Sequence, residues 1–168
     1  MDVSRLSPHH APEYRALMLE AYAAHPDAFT SSVAERAALP LSWWEKRLWD
    51  APDSSQAVFG LFDGQLAGAV GLSSDTREKA NHKATLFGMY IRTAFRGQGH
   101  GHLLVKAALD HARTRPRLTV VQLTVTEGNL GAETLYAKHG FVRFGLEPYA
   151  VAVGSQYVSK VHMWCDLS

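Results

Sequence analysis

Three glycines in five positions, Gly97, Gly99 and Gly101, stand between the β-type run LFGMYI and a leucine-bearing helical pattern. The first N–H groups of a helix have no internal partner and carry about half a positive charge, so they attract anions. Glycine keeps side chains out of the path of a phosphate approaching those groups. A second β-branched run, LTVVQLTVT, follows the helix. Strand, glycine segment, helix and strand together predict a crossover with the two strands in parallel.

The rest of the chain alternates helical and extended patterns. Val3 to Leu6 forms a short first strand, and Pro12 opens a helix to about Ala24, with Leu17, Met18, Ala21 and Tyr22 at helical spacing. HPDAFTSS breaks it, and a second helical region ends around Trp43, Trp44, Arg47 and Leu48. QAVFGLFDGQLAGAVGLSS is a hairpin turning at Asp63-Gly64, and HKATLFGMYI is the next strand. The glycine-loop helix runs from about Gly99 to Arg113 and stops near Pro116. Asn129 opens a short helix ending at Gly140, and strands around Phe141–Val151 and Tyr157–Asp166 close the chain. The pattern predicts one α/β domain over residues 1–168. Its central sheet is mixed and mostly antiparallel, with about six to seven strands and about four flanking helices.

Three phosphate-binding patterns use a glycine-rich helix start. A Walker-type loop needs Gly-Lys-Ser/Thr, whereas Gly101 is followed by His102 and Leu103. A dinucleotide fingerprint needs G-x-G-x-x-G, and its third glycine falls on His102 or Leu104 in the two available registers. The pattern that remains is Arg96-x-x-Gly99-x-Gly101. It resembles motif A of the GNAT family of N-acetyltransferases, Arg/Gln-x-x-Gly-x-Gly/Ala. NLGAETLYAKHGF, from Asn129 to Phe141, is similar to the family's Asn-x-x-Ala-x-x-Leu-Tyr-x-x-x-Gly-Phe segment. The two segments occur in the family's order with a strand between them. The resemblance covers about Ala84 to Val142, while the N-terminal third matches only in its helix–helix–hairpin layout.

The resemblance implies a sheet whose central parallel strands splay apart, with acetyl-CoA as cosubstrate. It implies an acyl-CoA-dependent N-acetyltransferase in which a primary amine of a small molecule or peptide attacks directly. A non-catalytic module of the same fold that binds or senses acyl-CoA is the alternative. By position, Arg96, Gly97, Gln98, Gly99, His100, Gly101 and His102 would receive the pyrophosphate, mostly through backbone. His100 stands where relatives are usually aliphatic, which leaves an amide-only role intact. Met89, Tyr90 and Ile91 would lie along the pantetheine arm as an added strand does. The Met89 N–H would polarise the thioester carbonyl, a donor role worth about 2.7–4 kcal/mol in a preorganised site. Tyr136 matches the tyrosine that protonates the departing thiolate, and a packed tyrosine with a satisfied hydroxyl is the other reading. Asn129 is either a cofactor contact or a helix N-cap. Lys138 is a solvated lysine or approaches the nucleotide phosphates.

The family often takes a glutamate base from the strand before the glycine loop, but that register holds Thr85 here, which cannot serve. His82 and Glu78 are the nearby candidates, with Glu35 and Glu127 further off in sequence. An amine that arrives neutral needs no dedicated base. The acceptor would sit at the splay, walled by Phe29, Ser31 and Ser32 of DAFTSS and by Tyr149 and Tyr157 of the closing strands. Trp43 and Trp44 are adjacent, so at most one faces the core. Cys165, the single cysteine, has no neighbour suggesting a nucleophile.

A formal net charge of +1 makes no case for nucleic acid or an anionic membrane. One cysteine, no signal-like N-terminal run and no apolar stretch of about 18 residues predict a soluble cytoplasmic protein. The nine histidines, His9-His10 and His100-x-His102 among them, lack convincing ligand spacing, so no metal is expected. The resemblance also implies a homodimer through the C-terminal strands.

Overall fold

The computed structural model describes every residue, Met1–Ser168. Seven strands, β1 (Asp2–Arg5), β2 (Gln56–Asp63), β3 (Gln65–Ser74), β4 (Lys83–Ile91), β5 (Val120–Thr126), β6 (Val142–Val153) and β7 (Gln156–Asp166), form one sheet. Its order is β1-β2-β3-β4-β5-β7-β6. Only β4 and β5 are parallel; all other neighbours are antiparallel. The five α-helices are α1 (Ala11–Ala24), α2 (Val33–Ala37), α3 (Leu41–Arg47), α4 (His100–Arg113) and α5 (Leu130–Ala137). The mixed, mostly antiparallel sheet matches expectation, with one helix more than the sequence pattern suggested. The region ending at Trp43 and Trp44 is two short helices because Pro40 interrupts it. Pro40 takes extended backbone, φ −68° and ψ 157°, as the cap of α3. Its missing N–H and its ring end the preceding turn at Leu39. No helix is long and apolar enough to cross a membrane.

Helices cover both faces of the sheet. On one face α4 buries Leu104, Val105, Ala108, Leu109 and Ala112 against Phe59, Leu61, Val70 and Val121. Full burial of each leucine is worth ~1.5–3 kcal/mol as an upper bound. On the other face α1 buries Tyr14, Leu17, Met18, Ala21 and Tyr22, joined by Trp44 of α3. Trp44 is the inward member of the tryptophan pair, while Trp43 is half-buried.

Two local features of β4 position the site. Its pairing with β5 covers only Lys83↔Val120, Ala84↔Val121 and Thr85↔Gln122, after which the strands part. On its other edge Gly71 pairs with Phe87 and Ala69 with Tyr90, so Val70 opposes both Gly88 and Met89. That extra residue is a β-bulge, with Gly88 at φ +61°. The bulge switches the alternation of the strand. Ala84 and Leu86 face the α4 side before it, and Tyr90 faces the α1 side after it.

Candidate active site

The parting of β4 and β5 opens a cleft of about 300 Å³. Leu86 to Met89 line one wall, Leu123 to Thr126 the other, and Asn129 and Tyr136 close it from α5. From Leu86 onward the edge of β4 facing β5 has no strand partner. An extended peptide-like segment can therefore bond along it.

The glycine segment lies just past the end of β4. Gly97 and Gly99 have φ +74° and +80°, and a Cβ at either would meet nothing within 4 Å. The backbone N–H groups of residues 97–101 have no backbone acceptor, the first bond of the helix start being His102 N to Gly99 O at 3.2 Å. Open amides at a helix N-terminus suit a diphosphate, so the residues present fit the pyrophosphate of a CoA ligand. Gly101 serves a different purpose from the other two. A Cβ there would stand 3.0 Å from Leu135 Cδ2 and 3.4 Å from Met89 Cε, so this glycine permits α4 to pack close to α5 and β4.

The side chains of the segment are occupied locally. Arg96 donates Nε–H to Ile91 O at 2.7 Å, and its Nη2 lies 2.8 Å from His25 Nε2. His100 Nε2 meets Gln98 Oε1 at 3.1 Å, and His102 Nδ1 meets His139 Nε2 at 2.9 Å. What these residues offer a ligand is backbone. The same holds for Tyr90, whose hydroxyl turns to the α1 face and donates to Glu20 at 2.8 Å.

Tyr136 lies in the cleft lining with 6% of its surface exposed. Burial alone pushes its phenol up to about 12, and no hydrogen bond contributes. The hydroxyl therefore stays protonated at every ordinary pH. Asn129 caps α5, its Oδ1 accepting from Ala132 N at 3.2 Å, while its side chain also borders the cleft.

The proposed bases are not brought together with this constellation. His82 precedes β4, and its carbonyl accepts from Thr119 N at 2.9 Å. Seven residue-to-residue steps at about 3.3 Å each separate it from Met89. Glu78 lies in the exposed turn before it, and Glu35 is held by Ser32, whose hydroxyl donates to Oε1 at 2.9 Å. None of the three lines the cleft, and neither does Glu127. Thr85 does line it.

Of the acceptor-wall residues, Phe29 lines the cleft and continues into an adjoining hollow of about 360 Å³ that also holds Ser31 and Ser32. Tyr149 and Tyr157 line neither. Tyr149 has φ +53° where the β6–β7 register is irregular, between Glu147 and Val151. That backbone turns its ring onto Tyr157, at 5.0 Å between centroids, and leaves both rings exposed.

Gly88 and Lys160 are among the lining residues that the sequence motifs do not single out. Gly88 carried a signal, because an isolated glycine inside a β-type run marks a bulge. Lys160 carried none. It sits mid-strand in β7 opposite Thr126, 6% exposed, and lines the cleft.

Known proteins resemble this chain in sequence and fold. The L-amino acid N-acetyltransferase AaaT of Escherichia coli is 28% identical over 121 residues, 71% of this chain and 73% of that protein. Streptothricin acetyltransferase of Escherichia coli is 28% identical over 116 residues, 68% of this chain and 64% of that one. A GNAT-family acetyltransferase from Streptococcus pneumoniae superposes with a TM-score of 0.87 at 26% identity over 99% of both chains. The fold of yncA from Salmonella typhimurium, solved with its cofactor acetyl-CoA, matches with a TM-score of 0.81 at 16% identity, over 100% of this chain and 94% of that one. The acetyltransferase (GNAT) family model matches residues 14–141, from the first helix through both glycine-bearing motifs, and the chain belongs to that family.

Proposed function

We propose that the chain is an N-acetyltransferase that moves the acetyl group of acetyl-CoA to a primary amine of a small molecule or peptide. One observation carries this reading: an unpaired strand edge with its bulge, and a free phenol, border the same cleft where β4 and β5 part. Acetyl-CoA supplies an acetyl group activated as a thioester. The amides of residues 97–101 hold its pyrophosphate, and the edge of β4 at Met89, Tyr90 and Ile91 takes the pantetheine arm. The Met89 N–H, re-aimed by the bulge at Gly88, is the donor for the carbonyl oxygen. Tyr136 holds a proton at its hydroxyl for the leaving sulfur. Asn129 fixes the start of α5 and through it the placement of Tyr136.

The acceptor approaches from the α1 face, past Phe29 and Thr85. The cleft lining contains neither a carboxylate nor an imidazole, so the amine enters the reaction in its neutral form. Two relatives are named for small-molecule acceptors, an L-amino acid and streptothricin, which makes small amines the first to assay.

Thermal-shift titration tests the donor, and thiol release across an amine panel tests the reaction. Stabilisation by CoA and acetyl-CoA but not by ATP or NAD is expected, with turnover of at least one amine. Stabilisation without turnover of any amine would make the chain a sensor of acyl-CoA. A preference for ATP or NAD would overturn the donor assignment.

A further inference from the structure

Lys160 is the only charged side chain lining the cleft. Its Nζ donates to Ala28 O at 3.0 Å, to Thr126 Oγ1 at 3.1 Å and to Asp27 O at 3.4 Å. Val121, Leu123 and Val125 of β5 belong to the α4-side core, so Thr124 and Thr126 face the α1 side. Lys160, paired with Thr126, lies on that same face, the one from which the acceptor approaches.

The hydrogen bonds suit a charged Lys160. The Thr126 hydroxyl gives its own hydrogen to Asp27 O at 2.9 Å, so it presents a lone pair to Nζ. With two carbonyls as the other partners, each of the three hydrogens of an ammonium finds an acceptor. Burying an ammonium without a paired carboxylate is costly. Burial does lower the Lys160 pKa, and Asp27 and Glu147 partly oppose this. Those two carboxylates lie outside the lining, both residues are exposed, and Glu147 is engaged by His162 Nε2 at 2.7 Å.

One of the three bonds can be redirected. Asp27 O keeps the Thr126 hydroxyl if the 3.4 Å contact is given up, so no buried acceptor is left unpaired. The Lys160 ammonium then has a donor for a ligand in the cleft, and an arriving anion relieves the unpaired charge.

We infer that Lys160 makes the acceptor end of the cleft selective for an amine that also carries a carboxylate, an inference that rests on the acetyl-transfer reading above. The neighbouring Thr124 side chain, also in the lining, is placed to serve the second carboxylate oxygen. Amines with an additional positive charge are disfavoured by the same ammonium.

The experiment compares each proteinogenic L-amino acid with its primary amide as acceptor, by thiol release from acetyl-CoA. For the side chain that gives the best rate, and compared at equal concentrations of neutral amine because the amide's amine is the weaker base, the free acid is expected to exceed the amide at least tenfold in kcat/KM, mainly through KM. Lys160→Met is expected to lower the acid at least tenfold more than the amide, and Lys160→Arg to keep most of the preference. An acid-to-amide ratio near one in the unmodified protein overturns the inference while leaving acetyl transfer intact. Equal losses for acid and amide in Lys160→Met also overturn it, marking Lys160 as a tie for the Asp27–Ala28 loop alone. If no amine turns over, the acetyl-transfer reading fails. The difference in thermal stabilisation of CoA-loaded protein by N-acetyl amino acids and their amides then decides the role of Lys160 separately.

Discussion

His102 Nδ1 lies 2.9 Å from His139 Nε2, joining the first turn of α4 to the residues just past α5. One ring donates and the other accepts, so the neutral pair shares a single hydrogen. The bond ties the helix that presents the glycine segment to the helix that carries Tyr136. Burial lowers the His139 pKa below 6.5, and the fields of His102 and Arg113 lower it further. A histidine that is harder to protonate when folded binds fewer protons in the native state than in the unfolded one. Its contribution is complete above about 6.5 and is lost as pH falls from there toward the folded value. His111 has the same sign, its pKa lowered by burial and then by Arg5 and Arg115. The urea midpoint is therefore expected to fall between pH 7 and pH 5, with a shallower fall in His139→Gln. A wild-type midpoint that rises as pH drops through this window would contradict the linkage.

Gly88 is the residue on which the proposed Met89 donor depends. A Cβ there would meet Met18 Cε at 3.5 Å and Tyr14 Oη at 3.8 Å, ordinary contacts that exclude nothing. The obstacle is the backbone at φ +61°. Gly88→Ala is expected to cost about 1–2 kcal/mol of unfolding free energy from that conformation alone. If the chain instead flattens the bulge, the Met89 N–H turns away from the cleft. In that case kcat falls at least tenfold with little change in stability. Urea unfolding and steady-state rates on the same variant separate the two, and an unchanged result in both would remove the bulge from the site.

The parts of this molecule visible in its sequence are those where local backbone demands select the residues. The glycine segment needs positive φ at Gly97 and Gly99, and the helix start at Asn129 needs a cap, so both leave a record over a few positions. Pro40 left the same kind of record, and the extra helix boundary follows from it. Lys160 differs in kind. Nothing around it in QYVSKVHMW separates a buried lysine from a solvated one. Its partners Asp27 and Ala28 lie over 130 residues earlier and reach it only through the sheet. His82 shows the reverse case. Proximity in sequence to the Thr85 register suggests a base, but an extended strand converts a few residues into a long distance.

Phe29 and Tyr149 were both expected in the acceptor wall, and the structure separates them. Phe29 lines the cleft and packs edge-on against Tyr22 at 5.3 Å between centroids. Tyr149 is 76% exposed and rests on Tyr157. Phe29→Ala is expected to raise the acceptor KM about tenfold, near the value of losing one well-buried aromatic contact. Tyr149→Ala is expected to leave that KM within about twofold. Initial rates over an acceptor series at saturating acetyl-CoA check both, and a larger effect at Tyr149 than at Phe29 would move the acceptor to the β6–β7 hairpin.

Tyr136 sets the last expectation, because its protonation state is fixed by its surroundings. With the phenol pushed up to about 12 by burial, it remains a proton donor across the usable pH range. Removing a positioned acid costs roughly 10²–10⁴ in rate, so Tyr136→Phe should lower kcat at least a hundredfold. The dissociation constant for CoA should stay within about twofold, since the ring and its contact with Phe141 at 5.9 Å remain. In the wild type, kcat/KM should climb with the neutral fraction of the acceptor amine. It should show no descending limb below about pH 10, because ionisation of this phenol lies higher. A descending limb near pH 8 to 9 that vanishes in the phenylalanine variant would place the phenol in a wetter setting than the one its burial implies.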